Sequence, residues 1–234
     1  MDVTPLRVAA LVLNHHGIPI CTIGELALNY YNVPRVCHDV EICISESTSS
    51  AAADVLCCTG LFEMHEMDPD FNNYTEYKRG VPRVRTTAWC QPQSLVIFQA
   101  SVFGLDPVKD ALLPPSFCGK HVYISKEMEL LREDIANLHL PKLAPLLKGM
   151  ARRFLDTRDD PAMMAVEQLV DGMDLDETWA VSQLGDSDPA VLDLILRQVK
   201  GKKWRIDYFS ENEITCFVSS REEAGKLRLI PGYI

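Results

Sequence analysis

No stretch of this 234-residue chain comes near the ~20 consecutive apolar residues that a membrane-spanning helix needs. The first residues also lack the basic start, apolar centre and small-residue cleavage site of a secretory leader. The expectation is a soluble, cytoplasmic protein with no membrane partner. Cysteine occurs eight times, at Cys21, Cys37, Cys43, Cys57, Cys58, Cys90, Cys118 and Cys216, but never as C-x-x-C and never at zinc-ligand spacing with histidine. Most of these cysteines sit in apolar runs, so free thiols in a reducing compartment are expected rather than a disulfide framework or a zinc site. Repeats and low-complexity tracts are absent. Positive charge is scarce, with 23 Lys and Arg against 33 Asp and Glu and a net charge of -10. That balance argues against a general polyanion binder, and no DNA partner is expected, although a local basic patch remains compatible with it.

What is present is ample apolar material. Hydrophobic residues make up 47% of the chain, enough for a sizeable core. The pattern divides into an α/β part, residues 1–124, and a helical extension with a tail, residues 125–234. One stretch, 18–44, organises the first part. A short apolar run over Ile18 to Ile23 meets Gly24; an apolar segment over Glu25 to Tyr31 follows; Pro34-Arg35 then precedes the alternating run Asp39 to Ile44. This reads as strand, tight turn, helix, loop and strand. Residues two apart on a strand share a face at about 7 Å, so Asp39 and Glu41 project together, away from Val40, Ile42 and Ile44. Such a pair of acids is solvated, paired with a cation or holding a metal, because unpaired buried carboxylates are costly. A wet polar face on an edge strand is the simplest of these readings.

Glycine after a strand, then a helix, then acid-x-acid on the next strand resembles the nucleotidyltransferase fold. In that superfamily a Gly-Gly or Gly-Ser turn precedes Asp-x-Asp or Asp-x-Glu. Gly24 matches the first glycine, Asp39-Val40-Glu41 matches the acid pair, and Arg35 matches an arginine common in the toxin-like branch. The resemblance covers roughly the first hundred residues. It implies a mixed-sheet core with a helical extension and, for an active member, Mg²⁺ held on carboxylates and an NTP substrate. The chain departs from that pattern twice. Glu25 stands where the second small residue belongs, and the apolar strand Leu95 to Phe98 supplies no third acid; Gln99 and Asp106 are the nearest polar residues and are out of register.

The rest of the chain is read from local signals. Thr4-Pro5 opens a helix with Leu6, Ala9, Ala10 and Leu13 as its apolar stripe, and His15 and His16 close it. Ser47 to Ser50 offers caps for a helix ending at Gly60. Tyr74 to Arg79 and Arg83 to Trp89 read as two strands around Gly80-Val81-Pro82. Ser125 caps a helix over Lys126 to Asn137. Further helices are expected over Leu140 to Leu155, from Asp160-Pro161 to Val170 and from Asp188-Pro189 to Lys200, followed by a tail from Trp204 containing a final strand or lid.

Lys78, Arg79, Arg83 and Arg85 place four cations within eight residues, a candidate contact for phosphate or tRNA or else a charged edge protected from aggregation. Lys148, Arg152, Arg153 and Arg158 form a second basic group, and Arg197 to Arg205 a third. A like-charge contact at about 4 Å costs roughly 1–4 kcal/mol at surface-like dielectric, so Glu25 disfavours a nucleotide tail. Glu25, Asp39 and Glu41 together suit a cation instead, and a guanidinium pairs bidentately with carboxylates; the same triad equally suits a metal bound through oxygen. The chain is also similar to fungal arginine-containing cyclodipeptide synthases, without a residue-by-residue match of motifs. That resemblance implies aminoacyl transfer from aminoacyl-tRNA, including arginyl-tRNA, with no cofactor. Glu25, Asp39, Glu41 and His38 are then the catalytic candidates, and Gly24, Tyr30 and Arg35 the substrate-binding ones. Lys78, Arg79, Arg83, Arg85, Arg152 and Arg153 fall to tRNA. A Mg²⁺-dependent nucleotidyltransferase, with Asp39 and Glu41 as metal ligands, and a non-catalytic binding module are the alternatives. Cys37-His38 as a nucleophile and base is weakened by adjacent strand residues facing opposite ways.

Overall fold

The structure, a computed structural model, describes residues 2–66, 76–114, 135, 138–206 and 211–234. Helix α1 (Thr4–His15) forms as its apolar stripe requires, but Thr4 is already helical; Val3 holds the N-cap position, and the Asp2 carboxylate before it accepts from the Thr4 N–H at 2.9 Å. The organising stretch folds as strand β1 (Ile20–Ile23), helix α2 (Gly24–Tyr30) and strand β2 (Val40–Ile44). Every residue of both strands is buried, so β2 is an interior strand and not the edge with a wet face. Helix α3 (Ser49–Cys58) and strands β3 (Phe62–Met64), β4 (Arg83–Thr86) and β5 (Ser94–Gln99) complete an α/β core.

The sheet is mixed and open, in the order β1-β2-β5-β4-β3. Among the described strands only β2 and β5 run parallel. Leu95, Val96, Ile97 and Phe98 are buried between β2 and β4, as a continuous apolar run demands of a central strand. One expectation is corrected: β4 pairs with β3, and the segment before Gly80 is a single turn of 3₁₀ helix, Glu76–Lys78. Pro82 offers no N–H to a ladder, and Phe62 of β3 buries its ring instead. The residues before Glu76 in the expected strand, from Tyr74, and the expected helix over Lys126 to Asn137 with its Ser125 cap fall largely outside the described residues, as does Cys118.

Beyond the sheet lie α4 (Val108–Ala111), α5 (Leu143–Thr157), α6 (Asp160–Gly172), α7 (Glu177–Leu184), α8 (Pro189–Gly201) and α9 (Arg221–Leu227). Asp188 caps α8 through the Ala190 N–H, as its position before Pro189 predicts. Helix α7 was not expected from the sequence; Asp176 caps it through the Trp179 N–H. Helices α5 to α8 pack on one another and reach the sheet through the turn Ala100–Phe103. Contact there is very close. A Cβ on Gly149 of α5 would lie 1.7 Å from the Phe103 carbonyl oxygen, so only glycine fits.

One apolar core runs through both parts of the chain, from Leu6 and Ile42 to Leu169 and Leu194. The expected boundary at 124/125 falls outside the described residues, and the elements on its two sides are packed together. The described part of the tail carries helix α9 and no strand. Its end docks on the core: Tyr30 donates its hydroxyl to the Pro231 carbonyl, Trp179 donates its indole N–H to the Tyr233 carbonyl, and the Leu143 N–H bonds the Gly232 carbonyl. Asp171, 2% exposed, receives both Nε and Nη2 of Arg205 at 2.7 Å and so ties α6 to the segment after α8. No helix among the described residues is long and apolar enough to cross a membrane.

Candidate functional site

Gly24 follows β1 and begins α2 with φ +63°, a left-handed conformation that residues with a Cβ reach only with strain. A Cβ there would also lie 2.5 Å from Oε2 of Glu41. The glycine therefore makes room for the Glu41 carboxylate. The next residue, Glu25, is in the first turn of α2, and Asp39 lies just before β2. All three acids, with Gly24, line one cavity of about 510 Å³ between α2, the start of β2 and helices α5 and α6, a size suited to a small molecule.

The acids are not equivalent. Lys78 brings its ammonium 2.7 Å from Glu41 Oε1 and 3.3 Å from Asp39 Oδ2, with only 3% of its side chain exposed. Burial works against the charge on Lys78, but Glu41, then Glu25 and Asp39, outweigh it and hold its pKa above the ordinary lysine value. Arg83 adds a second cation at 3.2 Å from Asp39, and Tyr77 donates its hydroxyl to Glu41 Oε1 at 2.7 Å. Tyr77 in turn lies parallel to Phe98, ring centroids 5.8 Å apart. Register explains the grouping: Glu41, Val96 and Arg83 are neighbours across β2, β5 and β4, and cross-strand partners share a face.

Among the described residues Glu25 has no such cation in contact. Its described partners are His38, whose ring Nδ1 lies 3.6 Å away and whose side chain is 74% exposed, and the His38 backbone N–H at 3.4 Å. Burial and then the Glu41 charge push the Glu25 carboxyl above its ordinary value, against the pull of Lys78 and His38. Nearby, burial and Glu25 push the Cys37 thiol up to about 12, which argues against the Cys37-His38 dyad as a nucleophile and base.

Two arginines complete the lining. Arg35 donates from Nε to the Gln168 side chain of α6 at 2.9 Å and has no carboxylate partner among the described residues. Arg153, 9% exposed, pairs through Nη2 with Asp159 at 2.7 Å and stacks over the rings of Tyr77 and Phe103 at 4.8 and 5.1 Å. Leu28, Met150, Ala162, Met164 and Ala165 give the cavity an apolar wall. With Asp159 it carries four carboxylates and three side-chain cations, so the pairing of each decides what is left for a ligand.

The structure thus gathers Gly24, Glu25, Arg35, His38, Asp39, Glu41, Lys78 and Arg153 around the cavity, with Arg83 behind Asp39. Four candidates lie elsewhere. Tyr30 is buried in the core on Pro231, Arg79 pairs with Glu76 at the surface, Arg85 on β4 faces Glu63 and Ser94 across the sheet, and Arg152 reaches Asp188. Gln99 and Asp106 are absent from the lining, and the position beside Glu41 on β5 is Val96. Sequence reading missed Met150, Asp159, Met164 and Gln168; the i, i+3 spacing of Met150 and Arg153 on α5 was the available signal.

The donor set does not fit the divalent metal of the nucleotidyltransferase pattern. The two carboxylates that would hold it already share a buried ammonium, and a third acid in register is missing. No protein-family model matches the chain, and no curated protein matches it either.

Proposed function

We propose that this protein is an aminoacyl transferase whose cavity receives the cationic part of an arginyl group carried on tRNA, and that it forms an arginine-containing cyclodipeptide. The observation that carries the reading is the contrast between Glu25 and the other two acids. Lys78 neutralises Asp39 and Glu41, whereas Glu25 faces the same cavity with, among the described residues, an exposed histidine as its one ion-pair partner. A partly desolvated carboxylate gains most from a ligand that brings its own positive charge, and a guanidinium offers two parallel donors.

The strand, glycine turn, helix and acid strand over residues 18–44 support descent from a nucleotidyltransferase-like core. In this reading Lys78 replaces the metal, so the old site serves to position and no longer to polarise. An aminoacyl ester is already activated: a free amine attacks its carbonyl carbon, the amide forms, and the tRNA hydroxyl leaves with a proton. His38, at the rim beside Glu25, is the group assigned to take the proton from the attacking amine. A second round within the dipeptidyl ester closes the ring.

The test is incubation of the protein with arginine, a second amino acid, their synthetases, tRNA and ATP. An arginine-containing diketopiperazine is the expected product, lost in Glu25→Gln. Absence of product across all second amino acids contradicts the reading. Transfer of label from an NTP instead, dependent on Mg²⁺ and abolished by Asp39→Ala, would establish the nucleotidyltransferase alternative.

A further inference from the structure

Among the described residues, two of the charges lining the cavity have no charged partner other than the exposed His38: Glu25 and Arg35. They are opposite in sign and are not paired with one another. One buried residue fixes both. The Asn29 side chain, in the interior of α2, donates from Nδ2 to the Glu25 carbonyl at 2.8 Å and to the Arg35 carbonyl at 2.7 Å, and its Oδ1 accepts the Arg35 N–H at 3.3 Å. Asn29 itself is fully buried. The guanidinium of Arg35 is steadied by Gln168, a neutral acceptor, and meets no carboxylate among the described residues.

From this arrangement we infer that the cavity is built for a bipolar ligand, with its cation on Glu25 and the acyl oxygens of the same molecule on Arg35. Arg35 is therefore a specificity residue for the carboxylate or ester end, and Asn29 is the positioning residue that sets the two charges relative to each other. The inference rests on the proposed cation site at Glu25 and adds the second pole. It selects Arg35 over Arg153, because the Arg153 charge is answered by Asp159 at 2.7 Å, whereas that of Arg35 is answered by no carboxylate among the described residues. Arg35 has further N–H donors beyond the one spent on Gln168, in the planar fork that matches two oxygens.

Calorimetric titration of the full chain with L-arginine, with L-arginine methyl ester and with agmatine, which has the guanidinium but no carboxyl group, tests this. The wild type should bind arginine about tenfold or more tighter than agmatine, the worth of one charge-assisted contact, with the methyl ester between them. Arg35→Gln should bring arginine down to the agmatine level and leave agmatine unchanged, with circular dichroism showing the fold intact. Arg35→Lys should restore part of the preference. Equal binding of arginine and agmatine by the wild type overturns the inference while leaving the cation site standing. Loss of the preference in Arg153→Gln and not in Arg35→Gln also overturns it, by moving the anion to the other arginine. Binding that depends on Arg35 but is indifferent to Glu25→Gln removes the cation site and keeps the second pole. No binding of any of the three ligands defeats both.

Discussion

Lys78 and Glu41 meet at 2.7 Å with 3% and 2% of their side chains exposed, an internal ion pair at the point where acid-x-acid on a strand leads one to look for a metal. Removing one partner of such a pair leaves a buried charge without compensation. Lys78→Met is therefore expected to lower stability by about 3–5 kcal/mol, read from urea unfolding at pH 7. The sign of its pH dependence follows. The pKa of Lys78 is held above the ordinary lysine value of 10.5, so the stability it contributes is present below the unfolded value and lost as pH rises through the raised folded one. The gap between variant and wild type should narrow as pH rises through that raised value. A gap that stays constant at high pH would show that the charge on Lys78 does not hold the pair together.

Glu25 supplies a second pH signature. Its pKa already lies above the ordinary glutamate value of 4.5, from burial first and Glu41 second. In the free protein its contribution to stability is present below the unfolded pKa and lost as pH rises through the raised one. Glu25→Gln should therefore unfold at no lower urea concentration than wild type at pH 7. For a cationic ligand the dependence runs the other way. Binding needs the ionised carboxylate, so affinity should fall as pH drops through the raised pKa, and the fall should vanish in Glu25→Gln.

Gly24 is the backbone test of the site. Gly24→Ala places a Cβ on a left-handed residue, at a cost of about 1–2 kcal/mol, and drives it to 2.5 Å from the Glu41 carboxylate. A lower urea midpoint should be accompanied by weaker ligand binding, since Glu25 follows directly in the chain. A variant as stable as wild type would mean that Glu41 lies elsewhere.

Cys37 tests the electrostatics without a ligand. With its thiol pushed up to about 12, it should resist iodoacetamide at pH 8, while the exposed Cys58 is alkylated. Peptide mapping by mass spectrometry separates the two. Fast labelling of Cys37 would contradict the negative, desolvated surroundings described for Glu25.

Much of this site was legible in the sequence because it is local. The period-2 run around Asp39 and Glu41, the glycine after β1 and the apolar content of α2 are all encoded within 27 residues, and they fold as read. The role of Lys78 was not legible. It lies 37 residues from Glu41 on a single 3₁₀ turn, and nothing in a run of four basic residues marks the one that is buried. The same limit turned Arg83 from a tRNA contact into a partner for Asp39. Arg152 and Arg153 could have been told apart, since Gly149 and Met150 put Arg153 on the inward side of α5 and Arg152 on the outer one. Tyr30 was misassigned because an aromatic on an amphipathic helix looks alike whether it faces a cavity or, as here, the docked tail.

On the proposed function, Glu25 receives the ligand cation directly and without a metal. Titration of agmatine into wild type and Glu25→Gln, both in the presence of a chelator, addresses it most directly. The account predicts binding to wild type and a loss of about tenfold or more in the variant, as expected for removing one charged hydrogen-bonded partner. Binding that appears only when Mg²⁺ is added, or that is the same in both proteins, would contradict it.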